Sequence, residues 1–395
     1  MSEGPRDASN GTRASMRCKP RPGAVFGADG GIGADGGIGA GREVGVRRGG
    51  GAAGRAGAGA RGGIAEPTPR RRGDVLRELH RALRLVVLAG AGWAGAGHAQ
   101  APPDCPPVAV ELTPARIEAG MQAARDHGFL WRITKAGHSS FLYGTVHLAR
   151  LEWMFPGPAV VDALRASDTL ALELDVLDPA VQRRLVDAMA AQPKTSLPGA
   201  LAARLKRRIA AECLAPDAMA ALSPELQAAS LTALAARRDG LDPAYSVDAM
   251  LAGWGREAHK PVVSLETPEA QLQALQSQTR DDTVAMVRRG LDDLEAGRAR
   301  PLLNRVASVW ANGDYAELAR YPEWCECRRT PAERAALKRL LDDRNPGLAA
   351  GIDALHANGR RVFAAVGSLH MVGPRGLPTL LAGRGFKVER IAFQR

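Results

Sequence analysis

Between residues 129 and 393 the chain is a series of short apolar runs separated by helix-patterned segments, and this alternation constrains its fold most. Phe129-Leu-Trp-Arg-Ile-Thr134 and Ser140-Phe-Leu-Tyr143 flank a turn at 135–139 and read as two strands. Thr169-Leu-Ala-Leu-Glu-Leu174, Lys260-Pro-Val-Val-Ser-Leu265 and Arg361-Val-Phe-Ala-Ala-Val366 are near-continuous apolar runs, as expected of strands covered on both faces. Phe386-Lys-Val-Glu-Arg-Ile-Ala-Phe393 alternates, as a closing edge strand does. Helices are expected near 113–127 and 158–166, through the Ala/Leu-rich stretch 179–260, through 282–320, up to Asp343, from Arg344-Asn345-Pro346 onward, and near 375–383. Ser223-Pro-Glu and Thr330-Pro-Ala-Glu333 are helix starts, the latter a capping box. Strands alternating with helices at both ends of this region predict an α/β fold. Its central mixed sheet is built from two halves with a helical insertion between them.

The segments before residue 129 have other characters. Residues 1–73 hold 21 of the 45 glycines and a perfect repeat, Gly27-Ala-Asp-Gly-Gly-Ile32 then Gly33-Ala-Asp-Gly-Gly-Ile38. So few large apolar side chains cannot offset the entropy of ordering a chain. The segment reads as a disordered leader, or as upstream DNA translated in frame ahead of the true start; the second reading is preferred. Residues 74–101 then combine Arg77, Arg81 and Arg84 with an apolar run at 85–97 and an Ala-x-Ala site at 99–101, the pattern of a cleaved signal peptide. The apolar run is short for a membrane span, so the mature part, from 105 to 395, is expected in the periplasm or secreted, with no stable membrane span.

Net charge is +11 over the whole chain, but after residue 101 the balance is 37 basic against 34 acidic residues. The high pI belongs to the leader, and no nucleic-acid partner is expected. Four cysteines follow the signal segment: Cys105, Cys213, Cys325 and Cys327. An even number outside the cytoplasm predicts disulfides. A direct Cys325–Cys327 bridge is expected to be strained, so each is expected to pair elsewhere.

The chemistry-bearing residues lie where the strands end. Gly144-Thr-Val-His147-Leu148 and Gly367-Ser-Leu-His370-Met371 each follow an apolar strand at once. Glycine lets the backbone come close to a neighbour, and a histidine beyond a strand's carboxyl end stands where open α/β sheets bind ligands. Imidazole is a metal ligand and a general base near neutral pH. Glu173 interrupts an apolar strand, and a buried carboxylate needs a cation or a paired partner; Asp175, two positions on, is expected to share its face. Glu266 ends another apolar strand and also stands just before a helix N-terminus. Arg344 and Asn345 read either as a helix end or as a cation and an amide for a substrate carbonyl. His127, His138, His259 and His356 have no such setting and read as structural or solvated. There is no His-Glu-x-x-His, nucleophile elbow, P-loop or dinucleotide fingerprint in a credible context.

These residues together resemble the TraB/PrgY/GumN family, which includes the Tiki metalloproteases, and its bacterial GumN-like subgroup above all. The resemblance rests on Leu142-Tyr-Gly-Thr-Val-His-Leu148, Leu172-Glu-Leu-Asp175, Lys260-Pro-Val-Val-Ser-Leu-Glu-Thr267, Arg344-Asn345 and Val366-Gly-Ser-Leu-His-Met-Val-Gly373, and it spans about 127–395. Tyr245-Ser-Val-Asp248 departs from it, since the family often has glycine before the aliphatic-Asp pair. The resemblance implies a fold akin to the erythromycin-esterase and ChaN group, with two related α/β halves. It also implies a divalent-metal-dependent hydrolase, a peptidase in the Tiki case. His147, His370 and Glu173 would then bind the ion, which could be Mn, Co or Zn. Glu266 would act as base and Arg344 would stabilise an oxyanion, with Asn345 beside it. The substrate would be a peptide or protein. The competing expectation is a non-catalytic periplasmic protein that binds haem, metal or peptide.

Overall fold

The computed structural model describes residues 105–393, so the low-complexity leader and the signal segment lie outside the described residues. Six strands form one sheet. They are β1 (Phe129–Lys135), β2 (His138–Thr145), β3 (Thr169–Leu172), β4 (Val262–Ser264), β5 (Val362–Gly367) and β6 (Lys387–Ile391), in the spatial order β4-β3-β5-β2-β1-β6. β4, β3, β5 and β2 are parallel neighbours, and β1 runs antiparallel to both β2 and β6. The sheet is therefore mixed, as the alternation predicts, with β6, from the 386–393 segment, at an edge.

β1 and β2 are joined through Ala136 and Gly137, both at positive φ (51° and 82°), the conformation that matches a two-residue turn to strand twist. β5 lies between β3 and β2, and Val362, Phe363, Ala364, Ala365 and Val366 are fully shielded from solvent. Each large aliphatic or aromatic side chain so buried stabilises the fold by about 1.5–3 kcal/mol. Five helices begin with the same device, a polar N-cap followed by proline: Thr113, Asp178, Ser223, Thr267 and Thr330 each accept a backbone N–H of the first turn. Each cap contributes about 1 kcal/mol. Thr330 and Glu333 complete the expected capping box.

Helices Pro158–Ala166, Val247–Glu257 and Asn345–Ala357 pack into the same core as the sheet. Helices Gly199–Ala211, Pro224–Ala235 and Arg280–Glu295 enclose a second, wholly helical core around Leu205, Leu231, Val287 and Leu291. The helical material thus falls on both sides of β4 in the chain, between β3 and β4 and again between β4 and β5.

Two expectations are corrected. Cys325 and Cys327 are bonded directly to each other, and Cys105 is bonded to Cys213. Glu326, between the first pair, has φ of 54°, so the chain doubles back and brings the two Cα atoms to 5.1 Å, within the ordinary disulfide range. Asp175 does not share a face with Glu173. β3 ends at Leu172, and the turn beyond it sends Asp175 to Arg256 Nη2 at 2.6 Å and to the N–H of Leu177. Among the described residues no helix is long and apolar enough to cross a membrane.

Candidate active site

The four parallel strands end on one side of the sheet, and each delivers a candidate residue there. His147 lies two residues past β2, Glu173 one past β3, Glu266 two past β4 and His370 three past β5. Because β2 and β5 are hydrogen-bonded neighbours in register, with Gly144 opposite Val366 and Thr145 opposite Gly367, the two Gly-x-x-His segments stand side by side. Carboxyl ends of adjacent parallel strands are where such sheets bind ligands.

The motif glycines are needed for space. A Cβ on Gly144 would lie 3.3 Å from Ser368 and from Met371 Cγ, which belong to the opposite motif. A Cβ on Gly367 would lie 3.1 Å from Glu173 Oε1, 3.7 Å from His370 Cδ2 and 3.8 Å from His147 Nε2. Three candidate side chains therefore converge on one point, kept open because residue 367 has no side chain. The hydroxyls of the two motifs tie them down: Ser368 Oγ donates to the Thr145 carbonyl at 2.8 Å, and Thr145 Oγ1 donates to Asp248 Oδ1 at 2.6 Å. Trp310 Nε1 donates to the Gly144 carbonyl at 2.7 Å from below.

The two histidines are oriented by different partners. His147 Nδ1 donates to Asp248 Oδ2 at 2.8 Å. The Asp248 charge and this hydrogen bond outweigh desolvation and push the imidazole up to about 9. The His147 side chain is 66% exposed and Asp248 11%, so water screens part of that attraction. His370 is buried, and its Nδ1 lies 2.5 Å from Asn345 Oδ1. Asn345 Nδ2 donates to the Arg375 carbonyl, which leaves Oδ1 to face the ring, so His370 Nδ1 is the donor. Arg344 Nη1 donates toward His370 Nε2 at 3.2 Å, so Nε2 carries the lone pair. Burial first, opposed by Glu173 and reinforced by Arg344 and His147, brings His370 down to about 4.

Arg344 joins the carboxylates. It stands at the N-cap of helix Asn345–Ala357, not at a helix C-terminus. Its guanidinium is bidentate on Glu266, with Nε at 2.9 Å from Oε1 and Nη2 on Oε2; Nη2 also reaches Glu173 Oε2 at 2.5 Å, and Nη1 donates to the Leu340 carbonyl. All three side chains are at most 10% exposed, where breaking such a pair by removing one partner costs several kcal/mol. Glu173 also accepts the Gly367 N–H at 2.7 Å and Gln271 Nε2 at 3.2 Å. Burial raises the Glu173 pKa, but His370, His147, Arg344 and the Gly367 N–H together outweigh it and bring it to about 2. At neutral pH, with His370 uncharged, Arg344 and His147 hold it ionised.

All six sequence candidates, His147, Glu173, Glu266, Arg344, Asn345 and His370, thus fall in one linked cluster. Sequence reasoning missed Asp248 and Gln271. Asp248 had a signal, since its departure-marked Ser-Val-Asp segment opens helix Val247–Glu257, but no pattern ties it to a histidine 101 residues away. Gln271, inside helix Pro268–Leu275, had none.

The side chains present include types that can ligate a divalent cation. Both rings are fixed through Nδ1 by an oxygen acceptor, the arrangement that aims Nε2 at a metal, and Glu173 supplies a hard oxygen. Among the described residues the three carboxylates Glu173, Glu266 and Asp248 pair with two cations, Arg344 and His147. Among the described residues, however, no three His, Cys, Asp or Glu donors stand gathered around one ion position; Arg344 already engages Glu173 and His370.

No curated protein and no solved structure matches the chain. The family model described as TraB/PrgY/gumN matches residues 129–390, from the start of β1 to within one residue of the end of β6, and so takes in both Gly-x-x-His segments and every strand of the sheet: the chain belongs to the TraB/PrgY/gumN family.

Proposed function

We propose that the protein is an exported divalent-metal-dependent hydrolase acting on peptide bonds. The observation that carries this reading is the convergence of His147 Nε2, Glu173 Oε1 and His370 on the space above Gly367. His147, His370 and Glu173 would hold the ion, with Asp248 and Asn345 fixing the two rings. A bound ion supplies an acidified water and polarises the substrate carbonyl. An ion held there would need Arg344 to release Glu173 and His370, its two-point contact with Glu266 being kept. Arg344 would then have Nη1–H and Nη2–H groups free for a substrate carbonyl oxygen, on which a guanidinium stabilises developing negative charge. Glu266 remains as the carboxylate able to take a proton from the attacking water. Two perturbed histidines and a strongly acidic buried glutamate in one cluster support a functional rather than a packing role. The two disulfides support export to an oxidising compartment.

The test is metal analysis of the purified protein together with cleavage of a peptide library, wild type against Glu173→Ala. The proposal expects bound transition metal and cleavage in the wild type and loss of both in the variant. Equal metal content and cleavage in Glu173→Ala would refute it. A haem absorption band without cleavage would favour the binding-protein reading.

A further inference from the structure

A cavity of about 740 Å³ lies in the helical region, and none of the six site residues lines it. Its walls come from helices Pro224–Ala235, Arg280–Glu295, Ala299–Ala311 and Pro331–Leu340, and they are mainly apolar, with Met286, Leu302 and Leu337 among them. This size and character are those of small-molecule sites, in which an apolar wall is combined with very few oriented polar groups. Of the four lining arginines, three are neutralised: Arg289 by Glu333, Arg298 by Asp293 and Arg305 by Glu317. Arg339 differs. Among the described residues it has no carboxylate within ion-pairing distance. Its one hydrogen bond is from Nη2 to the Gln276 carbonyl at 3.3 Å, and its Nε is buried without a partner. Half-buried Arg339 thus presents a buried Nε–H without an acceptor at the wall of an apolar cavity, and a buried donor left unpaired is costly.

We propose that this cavity binds an apolar molecule ending in a carboxylate, with its chain against Met286, Leu302 and Leu337 and its anion at Arg339. Fatty acids and apolar peptides with a free C-terminus share this chemistry. The helix carrying Arg339 ends at Leu340, whose side chain lines the cavity and whose carbonyl holds Arg344. The cavity and the histidine cluster therefore share a structural element without sharing a binding residue.

The test is calorimetric titration of the full chain with two acid–neutral pairs: laurate against dodecanol, and trileucine against its C-terminal amide. The expected result is saturable one-to-one binding of at least one acid, about tenfold or more tighter than its neutral counterpart, since charge-assisted contacts are the strong ones. Either ranking of laurate and trileucine supports the proposal and identifies the source. Arg339→Met should reduce acid binding to the level of the neutral partner, Arg339→Lys should restore most of it, and Ala229→Phe should abolish binding by filling the cavity. Thermal melting of each variant shows that the fold is kept, and should Ala229→Phe fail to fold, the Arg339 pair decides alone. Absence of saturable binding by both acids, or acid binding indifferent to Arg339→Met, would overturn the proposal.

Discussion

His147 and His370 follow the same Gly-x-x-His backbone at the ends of adjacent parallel strands, yet at neutral pH they carry different charges. His147 faces Asp248 and is held as imidazolium, with a pKa near 9; His370 is enclosed, faces the neutral amide of Asn345 and the cation Arg344, and is neutral, with a pKa near 4. A local motif thus sets where a histidine stands, while burial at His370 and a distant partner, Asp248, at His147 set the charge each carries. For both rings to hold one ion, His147 would have to give up its proton, so ion uptake should release one.

The largest expected effect comes from Arg344→Met. Glu173 and Glu266 would be left as facing buried carboxylates, at a cost of about 3–5 kcal/mol in chemical denaturation. The change would also raise the His370 pKa, narrowing the contrast between the rings, because Arg344 is one of the groups that lower it. Unchanged stability in this variant would mean that Arg344 does not hold the two carboxylates together.

Asp248→Asn is next and removes the contrast from the other side. In the chelator-treated protein the His147 pKa should fall from about 9 toward the ordinary 6.5 in a histidine NMR titration. The sign for stability follows from the raised folded value. The His147–Asp248 contribution is fully present below pH 6.5 and is lost as pH rises toward 9, so the wild type should lose stability across that window and Asp248→Asn should not. Metal affinity should also drop by about 10–100-fold, as for other outer groups that orient a ligand ring. Asn345→Asp is the converse, giving His370 a carboxylate like that of its counterpart; the His370 pKa should rise from about 4, and a titration that leaves it there would show that the partner is not what separates the rings.

The smallest effect belongs to a third histidine. His356 is buried beneath the sheet, with Nδ1 at 2.8 Å from Ser140 Oγ, Nε2 at 3.0 Å from the Lys135 carbonyl, and the His138 ring stacked at 3.7 Å. Burial lowers its pKa. Its contribution is therefore present above pH 6.5 and lost on acidification, opposite in sign to that of His147. His356→Gln should flatten the acid side of the stability profile and leave the alkaline side unchanged.

Much of this was legible in the chain because it is local. Apolar runs marked the strands, Pro after a polar cap marked the helices, and glycine three residues before a histidine marked the strand ends where the site forms. Glu173 and Glu266 stood out because a carboxylate ending an apolar run needs a partner, and they proved to share one, Arg344. What was not legible depends on distant packing or on a single backbone angle. Asp248 reaches His147 only because helix Val247–Glu257 packs against the sheet; Asp175 turns toward Arg256 once β3 stops at Leu172; and the direct Cys325–Cys327 bond requires the positive φ of Glu326. The Arg339 cavity is assembled by helices from both sides of β4, so no contiguous segment announces it.

A cobalt(II) titration followed by visible absorbance, comparing wild type with His147→Ala, His370→Ala and Glu173→Ala, tests directly whether the three side chains hold one ion. If the two unlike histidines and the glutamate form one ion site, the wild type takes up one cobalt per chain with a ligand-field band, and each single substitution removes or strongly weakens it. Full uptake with an unchanged spectrum in either histidine variant would contradict a shared site.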